Sequence, residues 1–167
     1  LSIAVPALAQ DDFPRVEMSL GYANIGFPCC SKLTGETERH SGFSSTQSLN
    51  LTRILGLENY FGYYSLGNQT SLIANMAGGK IAARTERATP YFVAGIGVGY
   101  LTDDRTFGSS SFATRWGGGV DIRVNDSMAW KVDLSRMSFH IGQITPTGGS
   151  WHGGWNVSTG IVCILSQ

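Results

Sequence analysis

The sequence predicts an all-β fold: an eight-stranded antiparallel up-and-down β-barrel of the transmembrane kind. Three observations carry that expectation. Segments alternate between apolar and polar residues with period two over roughly a dozen positions, longer than ordinary strands of about five or six and suited to a tilted membrane crossing of about 9–11. Charged residues make up only 14% of the chain, against about 25% in ordinary globular proteins. The 22 glycines gather inside the alternating segments, as at Gly95, Gly97, Gly99 and Gly117-Gly118-Gly119, where they suit the close backbone approach of a small barrel.

The stretch Phe112 to Leu134 shows the pattern most clearly. Phe112, Trp116, Val120, Ile122 and Val124, then Met128, Trp130, Val132 and Leu134, share one parity, while Arg115, Asp121, Arg123, Lys131 and Asp133 share the other. Asn125-Asp126-Ser127 marks a hairpin tip between them. In a membrane the apolar parity faces lipid and the charged parity the lumen.

Taken in order, strand one runs from Arg15 to Phe27, with Val16, Met18, Leu20 and Tyr22 outward. Residues 28–41, PCCSKLTGETERHS, break the alternation and predict a long loop. Strand two, Gly42 to about Thr52, turns Phe43, Leu49 and Leu51 outward before a tight connection at Arg53-Ile54-Leu55. Strand three, Gly56 to about Ser65, sets Leu57, Phe61 and Tyr63 against Glu58, Tyr60, Gly62 and Tyr64. After a loop at 66–71, strand four runs from Leu72 to Arg84 with Ile73, Ala77 and Ile81 outward and Lys80 inward. A polar turn leads to Pro90, which suits a strand's first residue because it has no donor to lose. Strand five, Pro90 to Leu101, puts Phe92, Ala94, Ile96, Val98 and Tyr100 outside and small residues inside. A loop at 102–110 precedes the hairpin that supplies strands six and seven, and a loop at 141–154 precedes the final strand, Trp155 to Leu165. Aromatic residues near strand ends, among them Tyr22, Phe27, Phe43, Tyr91, Trp130, Phe139 and Trp155, suit interfacial girdles.

Twelve basic and twelve acidic residues cancel, which leaves no basic surface for nucleic acid. No run of about 18 apolar residues occurs, so any membrane crossing is by strands rather than helices. Residues 1–9 read as the remnant of a signal peptide, with Ala7-Leu8-Ala9 as its cleavage site before Gln10, and residues 10–167 as one domain. Cys29, Cys30 and Cys163 give no disulfide framework and no spacing for a metal, and no cofactor is expected. The Asn-X-Ser/Thr triplets at Asn50, Asn68 and Asn156 carry no weight in a bacterial barrel.

The inward charges Glu17, Glu58, Asp121 and Asp133 balance Lys80, Arg115, Arg123 and Lys131. Four of each sign predict a paired network that fills a narrow lumen, since eight strands leave room for little more than side chains. On the outer face near the end of strand seven, Arg136 and His140 are placed as interfacial groups that could meet phosphates. Ser138 shares their parity, but no third group is visible to orient a catalytic base, so no catalytic residue is assigned.

The segments TPYFVAGIGVGY, SSFATRWGGGVDIRVNDSMAWKVDL and NVSTGIVCIL resemble the OmpA-type family of small bacterial outer-membrane barrels, and the resemblance covers nearly everything from Arg15 onward. It implies a bacterial outer-membrane location, a monomer, contact with membrane lipid and lipopolysaccharide, delivery by the barrel-assembly machinery, and a structural or adhesive role. The chain ends Leu165-Ser166-Gln167, where such barrels often carry a terminal aromatic residue. Three alternatives follow from the same pattern: a lipid A-modifying barrel enzyme, a narrow channel, and a soluble periplasmic barrel with an apolar ligand.

Overall fold

The computed structural model describes residues 13–28, 37–67, 70–103, 106–141 and 150–166. They form eight strands: β1 (Val16–Pro28), β2 (Thr37–Asn50), β3 (Leu55–Gly67), β4 (Thr70–Ala82), β5 (Ala88–Asp103), β6 (Thr106–Asn125), β7 (Met128–Ile141) and β8 (Ser150–Ser166). Each pairs antiparallel with its sequence neighbours, and β1 pairs with β8 to close the barrel. Closure leaves no unpaired edge, the condition for placing strands in lipid. The expected residues 1–9, Gln10, Cys29, Cys30 and Asn68 lie outside the described residues.

The period-two pattern decides the two faces. Leu20, Leu57, Ile96, Val132 and Ile161 are exposed on the outside, while Glu58, Lys80, Arg115 and Asp133 are buried within. This is the inverse of a water-soluble protein and is stable only where the surroundings are apolar.

Three connections at one end of the barrel are tight, and local side chains hold them. The Thr52 hydroxyl accepts from the Leu55 amide at 2.9 Å, the Thr85 hydroxyl accepts from the Ala88 amide at 3.2 Å, and Asn125 Oδ1 accepts from the Ser127 amide at 2.9 Å. Such bonds replace ladder bonds that a turn cannot make. The start of β1 and the end of β8 lie at this same turn end; the opposite, loop end carries the other four connections.

The strands overrun several expected loops. β2 begins at Thr37 rather than Gly42, paired with Pro28 of β1, and β8 begins at Ser150 rather than Trp155, paired with Ile141. β5 and β6 likewise extend to Asp103 and from Thr106, and β3 reaches Gly67, whose φ of 80° suits glycine at a turn. Beyond the hydrocarbon layer a ladder still gains backbone bonds, while charges such as Glu38 and Arg39 cost nothing in water. Alternation therefore ends before the strand does. At the turn end β5 starts at Ala88, so Pro90 lies two residues inside the strand, opposite Val120.

The lumen is layered rather than charged throughout. Its loop-side half is an apolar cluster of Ala23, Ile25, Tyr60, Tyr64, Leu72, Ala74, Met76, Ala113, Met137 and Phe139, with Phe27, Leu66 and Leu101 against it. Phe27 and Phe139, expected among the girdle aromatics, thus belong to the interior, and so does Tyr91, which packs with Ala82 and Val93 in the other half of the lumen. Glycine makes the space they need: a Cβ at Gly99 would fall on the Phe139 ring and one at Gly119 on the Tyr91 ring.

Candidate functional site

The turn-side half of the lumen gathers the buried charges. Glu58 of β3 is their centre. Arg115 of β6 donates to Glu58 at 2.8 Å and, through its other terminal nitrogen, to Asp133 of β7 at 3.0 Å. Lys131 Nζ lies 3.5 Å and Lys80 Nζ 3.9 Å from the other Glu58 oxygen. Lys80 of β4 also reaches Glu17 of β1 at 3.3 Å and Asp121 of β6 at 3.6 Å. The pairs therefore join β1, β3, β4, β6 and β7 across the barrel axis.

Neutral groups satisfy much of what these charges leave open, although Asp121 Oδ1 is buried without a hydrogen-bond partner. Ser48 donates to Glu58 at 3.2 Å, Lys131 to Thr46 at 3.1 Å, and Tyr91 to Asp133 at 3.0 Å. Arg115 Nε donates to Ser135 at 3.2 Å, and Ser135 to the second Asp133 oxygen at 3.0 Å. Aromatic faces cover the cations: Arg115 sits 4.3 Å over Tyr60, and Lys80 and Lys131 sit 4.7 and 4.8 Å from the Tyr91 centroid. A buried charge is tolerable when paired and hydrogen-bonded in this way. Tyr64 links the charged layer to the apolar one, bonding the Tyr60 hydroxyl and donating to Asn156 at 2.7 Å.

One expected member is elsewhere. Arg123 is exposed and lines a cavity of about 480 Å³ at the turn end. It has the inward parity, but it lies next to the β6–β7 turn and opposite Ala129, beyond the packed layer. Arg84 takes the fourth cationic position instead. Its side chain is 8% exposed and approaches Glu17 at 3.7 Å, while Nη1 donates to the Arg53 carbonyl at 3.1 Å. Its signal was present, since Arg84 continues the inward row Lys80, Ala82. Tyr60, Tyr64 and Tyr91 also line the site without having been singled out as parts of it.

On the outer face at the loop end, Arg136 lies 5.7 Å over the Trp155 ring and His140 5.1 Å from the Trp151 ring. His140 Nδ1 is buried without a hydrogen-bond partner. Ser138 faces the same side, but no described carboxylate orients His140. Cys163 is an exposed free thiol near the turn end. Among the described residues no group of histidine, cysteine, aspartate or glutamate is placed to hold a metal.

A closed barrel with an apolar exterior and a filled interior fits the family model for the outer membrane protein beta-barrel domain, which matches residues 1–160. The chain belongs to that family. This outer-membrane barrel therefore resides in the bacterial outer membrane, with Leu20, Ile96 and Val132 facing lipid. Solved structures agree on the fold. Neisserial surface protein A is 14% identical, covers 90% of this chain and 96% of its own, and superposes with a TM-score of 0.64. Ail, the attachment invasion locus protein of Yersinia pestis, is 15% identical, covers 88% and 97%, and gives 0.56. The N-terminal barrel domain of OprF from Pseudomonas aeruginosa is 14% identical, covers 87% and 97%, and gives 0.55. No curated protein sequence matches the chain. In outer-membrane barrels short turns face the periplasm and longer loops the exterior, which puts the turn end of this barrel in the periplasm.

Proposed function

We propose that this outer-membrane barrel is a structural or adhesive protein, non-enzymatic and closed to ion flow, whose activity resides in what its loop end presents. The observation that carries the reading is the cross-lumen set of pairs around Glu58, stacked beneath the Tyr60, Tyr64 and Phe139 layer. Both layers occupy the path an ion would take, and opening it would strip partners from charges that cost several kcal/mol each to leave alone. Lipid and lipopolysaccharide are its surroundings, with Arg136 and His140 held by Trp155 and Trp151 at the level where phosphates lie, and the barrel-assembly machinery delivers it.

The adhesive branch draws on analogy of fold: Ail is the attachment invasion locus protein of Yersinia pestis, and one of its structures is a complex with the heparin analogue sucrose octasulfate. The test is display of the protein on a non-adherent bacterium, with attachment to animal cells and to immobilised heparin counted. Attachment above the empty strain is expected, with loss when residues 29–36 and 142–149 are exchanged for Gly-Ser linkers of equal length. A displayed, folded barrel that attaches no better than the empty strain would remove the adhesive branch and leave the structural one. Incubation with lipopolysaccharide is expected to leave its acylation unchanged.

A further inference from the structure

The lipid-facing rows of β2, β3 and β4 differ from those of the other strands. On β2 the outward series reads Phe43, Ser45, Gln47, Leu49; on β3 Leu57, Asn59, Phe61; on β4 Ile73, Asn75, Ala77, Gly79, Ile81. Asn59 and Asn75 are thus bracketed by apolar residues, and Gln47 and its neighbour Ser45 lie between Phe43 and Leu49, inside the hydrocarbon band rather than at its edge. The outward rows of β5 and β8 carry no amide there, reading Ala94, Ile96, Val98 and Thr159, Ile161, Cys163; that of β1 reads Met18, Leu20, Tyr22 and then reaches Asn24 toward the loop end, where its side chain donates to Ser41 at 3.3 Å.

The register brings the three amides together. Gln47 stands directly opposite Asn59, and Asn59 stands opposite Ala77, which places Asn75 on its diagonal. Gln47 and Asn75 are exposed and Asn59 is half-buried. No side-chain hydrogen bond among the described residues reaches any of them. Lipid tails supply no donor or acceptor, so these groups are unsatisfied in an isolated barrel. Beside them the surface is low. A groove of about 500 Å³ is lined by Val16, Gln47, Leu49, Leu57, Asn59 and Ala77 among others, and a Cβ at Gly79 would meet nothing within the chain.

We infer that this face is a contact between two copies of the barrel in the membrane. An amide carries both donors and an acceptor, so a patch of three amides is complementary to itself under a two-fold axis. Ala77 and Gly79 let the second barrel come close enough for those bonds to form, the pattern by which small residues and amides join membrane segments. The contact replaces unsatisfied amides in lipid by paired amides between proteins, and it revises the expectation of a monomer.

Sedimentation equilibrium of the full chain in density-matched detergent micelles tests this, with reductant present so that exposed Cys163 cannot link copies. The unmodified protein is expected to show a reversible monomer–dimer equilibrium governed by the protein-to-detergent ratio. The triple variant Gln47→Leu, Asn59→Leu, Asn75→Leu is expected to weaken association by about tenfold or more, and Ala77→Trp to weaken it independently by blocking the approach. Ile96→Trp, on β5, is the control and is expected to leave it unchanged. Altered gel mobility on boiling verifies that each variant is folded. An unmodified protein that stays monomeric at every ratio, a triple variant that associates as strongly as its parent, or equal weakening by Ile96→Trp would each overturn the inference.

Discussion

At Glu58 a single carboxylate answers three cations, at 2.8 Å from Arg115, 3.5 Å from Lys131 and 3.9 Å from Lys80, while Ser48 donates to it as well. Removing it leaves positive charges facing one another in a water-poor layer. Glu58→Gln is therefore expected to destabilise the barrel by about 3–5 kcal/mol, the cost of breaking a buried pair from one side. Urea unfolding in detergent micelles, followed by tryptophan fluorescence, measures it. Arg115→Met also strips Asp133 of its partner and is costly alone, but in the Glu58→Gln background it should add less than that, so that the double variant costs less than the sum of the two singles. Strict additivity would mean that the two groups do not sense each other. Arg123→Ala, exposed at the periplasmic mouth, should shift stability by no more than about 0.5 kcal/mol. The contrast between Arg123 and Arg84 shows what parity reveals and what it does not. A row of alternate residues says which way a side chain points, but its depth along the barrel depends on register and on where the turn falls. Arg84, expected as the last residue of strand four, lies past the end of β4 at Ala82 and is still packed against Glu17; Arg123 looked like a lumen residue and is not.

At the level of the strand, the two faces obey opposite rules, and substitutions can be assigned to one or the other. Val132→Lys puts an ammonium into lipid near the middle of β7 and should cost about 2–4 kcal/mol, falling toward zero for a lysine placed closer to either interface. Gly99→Leu acts from inside by driving a side chain onto the Phe139 ring, and overpacking of this kind costs about 1–3 kcal/mol. Both are read by the same urea titration, and a tolerated lysine at Val132 would mean that this row does not face lipid. The transmembrane part of every strand was legible because the hydrocarbon enforces alternation there: Leu57 against Glu58, Ile96 against Gly97, Val132 against Asp133. The strand ends were not legible, for a related reason. Thr37 to Ser41 pair with β1 and Ser150 to Gly154 with β7 beyond the lipid, where either face can be polar, and glycine and charge there look like loop. Phe27, Tyr91 and Phe139 were misplaced because an aromatic ring near a strand end suits a girdle or a plug equally well, and only packing against Gly99, Gly119 and their neighbours decides.

For the whole molecule, closure of eight strands leaves an interior that one layer of rings and one layer of ion pairs can fill. The barrel follows from the sequence nearly residue by residue, since each strand must bury its backbone bonds and expose an apolar row. What it does follows far less directly, because barrels only 14–15% identical to this chain share its fold and a shared fold does not carry a function with it. The central claim is that the lumen is shut by its own side chains, which leaves the outer surface to do the work. Single-channel recording of the purified protein in planar lipid bilayers at neutral pH and high salt tests it most directly. Insertion without steady conductance is expected, for the unmodified protein and also when Glu58 and Arg115 are both replaced by alanine, because the Tyr60, Tyr64 and Phe139 layer still stands in the path; stable, salt-proportional steps from the unmodified protein would contradict it.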